Sequence, residues 1–221
     1  MAKITRAKQL TDRDMNILSD LARCRVLSSG QIKNAYWSEA KERTCLERME
    51  RLQKAGYVKE LVIYAEKLGQ WMKTYCLDAK GKKWATGPQG PALNGKTVFT
   101  HPGKFNEILH QVRTNEVYYR LAEEERETYR IGDVLEIEKG TYKGGKDAVP
   151  DASYTNTSGE EIYIEADCGS YTGKQVRDKV SSFAGKKTIW VCPSGRKNFL
   201  YRHGARGEFL TYSTGGQGRI G

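Results

Sequence analysis

The sequence lacks the features of exported, membrane-spanning and zinc-binding proteins. It has no CxxC pair and no Cys/His cluster with zinc spacing, and its five cysteines are widely spread. This arrangement is typical of reduced thiols rather than of a disulfide framework or a structural metal site. No apolar run is long enough to span a bilayer, and MAKITRAKQL contains no hydrophobic export segment. We therefore expect a cytoplasmic protein that has no membrane partner.

Acidic residues are also few relative to basic ones. The formal net charge is +10, and the excess is concentrated at the two ends of the chain. Residues 1–60 carry 13 Lys and Arg against 8 Asp and Glu, and residues 174–221 carry 10 against 2. The stretch between Glu123 and Glu138 is strongly acidic. Two basic ends predict two basic surfaces, and nucleic acid is the commonest polyanion in the cytosol.

Residues 11–54 predict three consecutive helices. Thr11 and Asp14 have the spacing of a capping box, and apolar residues recur behind them at helical intervals. A short second helix follows the segment RVLSSG, and a third runs from about Glu39 to Lys54, with Gly56 as its stop. Three short helices with a basic last helix are the layout of a helix-turn-helix, whose last helix enters the major groove.

A predicted hairpin follows these helices. Residues 57–64 and 71–77 have strand character and are separated by the turn AEKLGQ. The sequence therefore predicts a winged helix-turn-helix over residues 1–80 that binds double-stranded DNA. The side chains that we expect to contact DNA are Lys41, Arg43, Thr44, Arg48, Arg51, Lys67, Gln70 and Lys73. Two alternatives stay open, namely a protein–protein module and a charged face that is merely solvated.

The rest of the chain predicts a linker and a second domain. Residues 81–104 are rich in glycine and proline, as linkers are. Residues 105–221 predict one long helix from Phe105 to about Glu127, a short strand at residues 134–138, and then a mixture of strands and helices. The predicted fold class is therefore α+β, with a winged helix followed by a mixed α/β domain.

Three acids in the second domain suggest a metal site. Asp151 follows a proline, and Glu165 and Asp167 lie on one face of a predicted strand. Paired carboxylates can hold Mg²⁺ or Mn²⁺ through hard oxygen ligands. The pattern resembles PD-(D/E)xK nucleases, but Asp167 stands where that pattern has lysine, which leaves Lys174 or Lys179 as the substitute.

Without a lysine at the usual position, we expect a nuclease-like domain that is not catalytic and needs no cofactor. The three acids are predicted to cluster in space and to be neutralised by Lys174, Lys179 and Arg177, which are near in sequence. The alternative is a metal-dependent nuclease that uses the catalytic residues Asp151, Glu165, Asp167 and Lys179 with Mg²⁺ or Mn²⁺.

Four segments in a fixed order resemble the replication-relaxation family of plasmid, conjugative-element and phage proteins. They are LTDRDMNILSDLARCRVLSSGQI, CLERMERLQKAGYV, LHQVRTNEVYYRLAE and PDASYTNTSGEEIYIEADCGSYTGKQVRDKVSSF, and they span most of residues 10–183. The resemblance implies an N-terminal winged helix, a C-terminal nuclease-like fold and a role in mobile-element DNA replication, transfer or control. His110 and Asn115 match polar positions of the family's middle helix.

Taken together, these patterns predict a sequence-specific protein that binds double-stranded DNA. A homodimer is expected because helix-turn-helix proteins usually bind two half-sites. Besides the nuclease, one further alternative is an adaptor that recruits a relaxase or a replication initiator through the second domain.

Overall fold

The protein is a mixed α+β chain with two separate sheets, as the computed structural model describes it for residue 7 and residues 9–65, 69–140 and 149–212. It divides into two compact units, residues 1–108 and residues 109–221. This confirms the predicted α+β class. No helix within the described ranges is both long and apolar enough to cross a membrane.

The first unit consists of helices packed on a three-stranded antiparallel sheet. Its elements are α1 (Asp12–Cys24), β1 (Leu27–Ser28), α2 (Ser29–Tyr36), α3 (Glu42–Lys54), β2 (Val58–Ala65), β3 (Gln70–Leu77) and α4 (Ala79–Ala85). The strand order is β1-β3-β2, with Tyr64 opposite Trp71 near the end of the predicted hairpin.

Local capping explains where the first two helices begin. The predicted capping box of α1 is confirmed, because the backbone N–H of Thr11 donates to Asp14 Oδ2 at 2.7 Å and the N–H of Asp14 donates back to Thr11 Oγ1. Ser28 and Gln31 form a second such box at α2, at 3.0 and 3.1 Å. Each box satisfies N–H groups that a helix start leaves without intrahelical partners.

The third helix begins at Glu42 and not at the predicted Glu39. The N–H of Ala40 donates to Trp37 O at 3.0 Å in a turn, and Lys41 is extended with ψ 143°. This turn separates α2 from α3 and delays the start of the helix.

The predicted linker at residues 81–104 stays a prediction, and its residues lie within the first compact unit. Residues 79–85 form α4, and Val98 is buried. Arg25 donates to His101 O at 3.2 Å, and its guanidinium lies 4.5 Å from the ring centroid of Phe99. The contacts of Arg25 attach the glycine- and proline-rich stretch to the C-terminal end of α1.

The second unit is built on a five-stranded mixed sheet of order β4-β5-β6-β7-β8. Its elements are α5 (Ile108–Thr114), α6 (Glu123–Thr128), β4 (Arg130–Ile131), α7 (Gly132–Lys139), β5 (Ala152–Thr155), β6 (Glu161–Ala166), α8 (Gly173–Ser182), β7 (Lys187–Pro193), α9 (Lys197–Arg202) and β8 (Glu208–Tyr212). The first three strands pair antiparallel, and β7 and β8 add in parallel.

Two predicted elements of this unit are wrong. The single helix from Phe105 to Glu127 is broken, because α5 ends at Thr114 and α6 begins only at Glu123. Next to this break, Asn115 is fully buried, and its Oδ1 accepts from Gln111 Nε2 at 3.0 Å and Tyr129 Oη at 2.9 Å.

The predicted strand at residues 134–138 lies inside α7. Val134 and Leu135 are buried next to each other, which fits one side of a helix, and Gly140 ends it in the left-handed conformation with φ 66°. The sequence also predicts a stretch from Asp147 that leads into the next strand and a loose tail at residues 214–221. Asp147, Ala148 and this tail fall outside the described residues.

Helices α8 and α9 cover one side of the sheet. Val176 from α8 and Leu200 from α9 pack in one buried cluster with Trp190 and Cys192 of β7. Because residues 190 and 192 of a strand point to the same face, both helices lie on that face. The exposed sides of α8 and α9 are therefore neighbours on the outside of this unit.

Candidate nucleic-acid interface and buried carboxylate cluster

Four of the predicted DNA-contact residues lie exposed on or beside α3. They are Lys41, Arg43, Thr44 and Arg51. The side chain of Arg43 is 75% exposed and pairs with Glu47 at 2.6 Å, one helical turn away. Such a surface pair is weak, so a phosphate or a base can displace the glutamate at little cost.

Arg48, on the same helix, already has a buried partner. Its Nε donates to Asp14 Oδ1 at 2.8 Å, its Nη2 contacts Asp14 Oδ2, and it also donates to Gln9 O at 3.1 Å. Burial alone would raise the pKa of Asp14, but the hydrogen bonds from Arg48 and Thr11 outweigh it and lower this pKa below its ordinary value. Arg48 therefore connects α3 to α1 and is not available to DNA in the way that Arg43 is.

A cleft of about 300 Å³ lies between the start of α1 and the exposed side of α3. Arg51 and Thr44 line one side of it. Arg13 lines the other, with its guanidinium 4.7 Å from the ring centroid of Trp37. Neither Arg13 nor Arg51 forms an ion pair with a carboxylate within the described ranges.

The hairpin provides the remaining predicted contacts. Gln70 is exposed, whereas Lys73 Nζ lies 3.3 Å from Glu60 Oε1. Lys67 falls outside the described residues. An unpredicted feature is an exposed aromatic pair, Tyr64 and Trp71, whose ring centroids are 5.2 Å apart and which are 46% and 71% exposed.

In the second unit, Asp151 and Glu165 meet at one lysine of α8. Lys179 Nζ forms an ion pair with Glu165 Oε1 and lies 4.0 Å from Asp151 Oδ1. Tyr171 donates to Glu165 Oε1 at 2.5 Å. The structure thus brings together Asp151, Glu165 and Lys179, three of the four residues of the nuclease alternative.

His110 is the second cation partner of this cluster. Its Nε2 lies 3.1 Å from Asp151 Oδ2 and 3.0 Å from Ala166 O. Because both neighbours are acceptors, Nε2 carries the proton. Burial lowers the pKa of His110. The hydrogen bond to Asp151 and the charge of Asp151 raise this pKa by more than burial lowers it, so the net shift is upward. The N–H of Ala166 donates to the same Asp151 oxygen at 2.8 Å, which fixes that carboxylate.

Glu165 is the least satisfied member of the cluster. Its side chain is fully buried, and its Oε2 has no hydrogen-bond partner among the described residues. Burial, and next the negative charge of Asp151, raise the pKa of Glu165 to about 7 despite the opposing effect of Lys179. This carboxyl group can therefore exchange a proton near neutral pH.

Asp167 has a separate set of partners. Its Oδ1 accepts from the N–H groups of Gly169, Ser170 and Tyr171 at 2.7 to 3.1 Å. Its Oδ2 accepts from Arg196 Nε at 2.8 Å. Aspartate before a tight turn commonly caps the backbone in this way, so Asp167 stabilises the loop that leads from β6 to α8.

The other predicted neutralising residues, Lys174 and Arg177, are exposed and form no ion pair within the described part of the chain. Sequence reasoning did not identify Tyr171 and Arg196 as partners of the acids. The turn DCGS after Glu165 is the one local signal that could have indicated the role of Asp167.

The described residues contain no group of three His, Cys, Asp or Glu side chains that could hold a divalent metal ion. Lys179 and His110 already neutralise Asp151 and Glu165, and Asp167 is held by Arg196.

Comparison with known proteins gives one match. The model of a family described as replication-relaxation matches residues 18–185, which include parts of both units. No curated protein and no solved structure matches the chain.

Proposed function

The chain belongs to the replication-relaxation family, and from this premise we propose that it is a sequence-specific double-stranded DNA-binding protein of a mobile element. It acts in replication, transfer or transcriptional control, as a homodimer and without a metal cofactor. The first unit is the DNA-binding module, a winged helix-turn-helix.

The order of elements in the first unit carries this proposal. Three helices are followed by an antiparallel hairpin, α2 packs against α3, and β1 joins the hairpin as a third strand. In helix-turn-helix proteins the last helix of such a set enters the major groove. We assign that position to α3 and the flanking wing position to the β2–β3 hairpin.

The exposed residues of α3 are suited to this role. Arg43 and Thr44 lie in its first turn, Lys41 precedes it, and Arg51 lies two turns further along. Arginine donates two hydrogen bonds to guanine in the major groove, and lysine contacts phosphates. We do not assign a DNA contact to Arg48, because its guanidinium is bound to Asp14. On the wing, we assign the DNA contact to Gln70.

Selection of bound duplexes from a random pool tests sequence specificity. The wild-type chain should enrich one common motif, and a homodimer should enrich a motif with two-fold symmetry. Lys41→Ala/Arg43→Ala should lose this enrichment. Lys80→Ala/Lys83→Ala removes the same charge from exposed sites on α4 and should retain it. A pool that remains random with the wild-type chain would contradict the proposal.

A metal-dependent nuclease is the second candidate, and one observation favours it. Lys179 occupies the space between Asp151 and Glu165 even though it is not two residues after Glu165 in sequence, and one oxygen of Glu165 is left without a described partner. A lysine beside two acids is the set that the nuclease pattern requires, but the lysine and the histidine here already neutralise the acids.

Incubation of supercoiled DNA with the chain and Mn²⁺ separates the two candidates. We expect no nicking beyond that of the double variant Asp151→Ala/Glu165→Ala. Nicking by the wild-type chain that disappears in this variant would establish the nuclease and make the first unit its targeting module.

A further inference from the structure

The second unit carries several cations that form no ion pair with a carboxylate among the described residues. Residues 173–206 contain nine Lys and Arg but only one acid, Asp178. Four of the cations are paired with carboxylates, namely Lys179 with Glu165, Lys186 with Glu161, Lys187 with Glu160 and Arg196 with Asp167. The other five are exposed and form no ion pair within the described ranges: Lys174, Arg177, Lys197, Arg202 and Arg206.

All five cations are exposed on α8, on α9 or in the turn after α9. Both helices cover the same face of the sheet, because Val176 and Leu200 pack in one cluster with Trp190. We call this surface the α8–α9 face. The five cations outnumber Asp178, the single acid of this segment. Like charges on one surface repel one another, and a polyanion is the partner that lowers this repulsion.

An exposed aromatic ring lies among these cations. The side chain of Tyr201 is 55% exposed. The guanidinium of Arg206 lies 4.2 Å from its ring centroid, and Arg206 Nη1 donates to Tyr201 O at 2.9 Å and to Ala205 O at 2.8 Å. The arginine is therefore fixed against the ring, and the phenol is presented to solvent beside Arg202 on the same helix.

We propose that the α8–α9 face binds single-stranded DNA. Cations that follow a backbone, together with an exposed ring on which a base can stack, are the combination that single-strand-binding surfaces use. A duplex offers only its phosphates to such a face, because its bases are already stacked. An acidic protein would use the cations but would not need the ring.

This second site lies beyond the duplex binding that we propose for the first unit. A protein that acts on DNA during replication or transfer meets both duplex and unpaired strands. The two sites can be tested separately, because their residues do not overlap. Lys41→Ala/Arg43→Ala should weaken duplex binding and leave single-strand binding unchanged.

Fluorescence anisotropy of the full chain with a labelled mixed-sequence strand of about 20 nucleotides provides the test. The chain should bind this strand, and Tyr201→Ala should weaken binding by about fivefold or more, as loss of one stacked base does. Tyr201→Phe keeps the ring and should retain the wild-type affinity. Lys174→Gln/Lys197→Gln should weaken binding. It should also lower the magnitude of the slope of log K against log salt concentration by roughly 1.4.

The matched control is Lys186→Gln/Lys187→Gln, which removes the same charge from lysines that are already paired with Glu161 and Glu160. It should bind like the wild-type chain. The proposal is overturned if the wild-type chain does not bind the strand, if Tyr201→Ala binds as the wild type does, or if the two lysine double variants are equally weak. Weakening of duplex and strand to the same extent by Tyr201→Ala would also overturn it.

Discussion

Asp14 in the first unit and Glu165 in the second are both fully buried carboxylates that pair with a cation on a helix. They differ in how completely they are satisfied. Both oxygens of Asp14 are bonded, by Arg48 and by the backbone and hydroxyl of Thr11. Glu165 uses one oxygen for Lys179 and Tyr171, whereas the other has no partner among the described residues.

The difference separates a fixed charge from one that can change. A buried carboxylate remains ionised only where hydrogen bonds and a counter-charge replace the lost water. Asp14 meets this condition, and its pKa is lowered. Glu165 does not, and its pKa is raised to about 7. Asp14 therefore stays ionised and holds α3 to α1 through Arg48. Glu165 instead gains or loses a proton as the pH passes about 7.

The largest expected change in stability comes from breaking the Asp14–Arg48 pair. Arg48→Ala should lower the free energy of unfolding by about 3 kcal/mol, because removing one partner leaves a buried charge uncompensated. Urea unfolding followed by the circular dichroism of the helices measures this loss. A loss below about 1 kcal/mol would mean that Asp14 is hydrated in solution, and the contrast with Glu165 would then disappear.

The next effect is the pH dependence of the Glu165 cluster. Between the ordinary pKa of 4.5 and about 7, the folded state keeps a proton that the unfolded state has released. Glu165 therefore contributes stability at low pH, and this contribution is lost as the pH rises through about 7. The glutamine of Glu165→Gln cannot release a proton. Between pH 5 and pH 7.5, the free energy of unfolding of this variant should therefore rise by about 2 kcal/mol relative to that of the wild type.

Asp14→Asn is the matched control for this titration. Because the pKa of Asp14 is lowered from 3.8, its contribution is present above that pH and is lost as the pH falls. The difference in the free energy of unfolding between Asp14→Asn and the wild type should therefore stay constant from pH 5 to pH 7.5. Amide hydrogen exchange of β6 and of α1 reports the two units separately. A constant difference for Glu165→Gln as well would show that Glu165 is ionised throughout.

The smallest effect is expected at Arg43, the exposed counterpart of Arg48. Arg43→Ala should change the free energy of unfolding by no more than about 0.5 kcal/mol, because it removes one exposed pair within a helix. The same variant should bind the selected duplex about fivefold or more weakly. Urea unfolding and anisotropy measured on one preparation check both statements. A stability loss as large as that of Arg48→Ala would make Arg43 a structural residue.

Local patterns in the sequence predicted the elements whose cause is local. The capping box at Thr11 and Asp14 and the hairpin around residues 58–77 depend on neighbours in sequence, and both are present. The predicted strand at residues 134–138 failed because a short apolar run fits a buried helix equally well.

Partners that are distant in sequence could not be predicted in the same way. Arg48 bonds to a residue 34 positions earlier, so nothing in the pattern of α3 distinguishes it from Arg43. Lys179 was one of several lysines on its helix, and only the packing of α8 on the sheet places it at Glu165. Likewise, the alternation of β6 indicates which face Asp167 takes but does not indicate that Arg196 holds it.

The most direct test of the proposed function is amide hydrogen exchange of the full chain with and without the selected duplex. If α3 enters the major groove and the hairpin lies beside it, protection should increase in residues 42–54 and at the tip of the β2–β3 hairpin. The sheet of the second unit should remain unchanged. Saturating duplex that leaves the exchange of α3 unaltered would contradict the account.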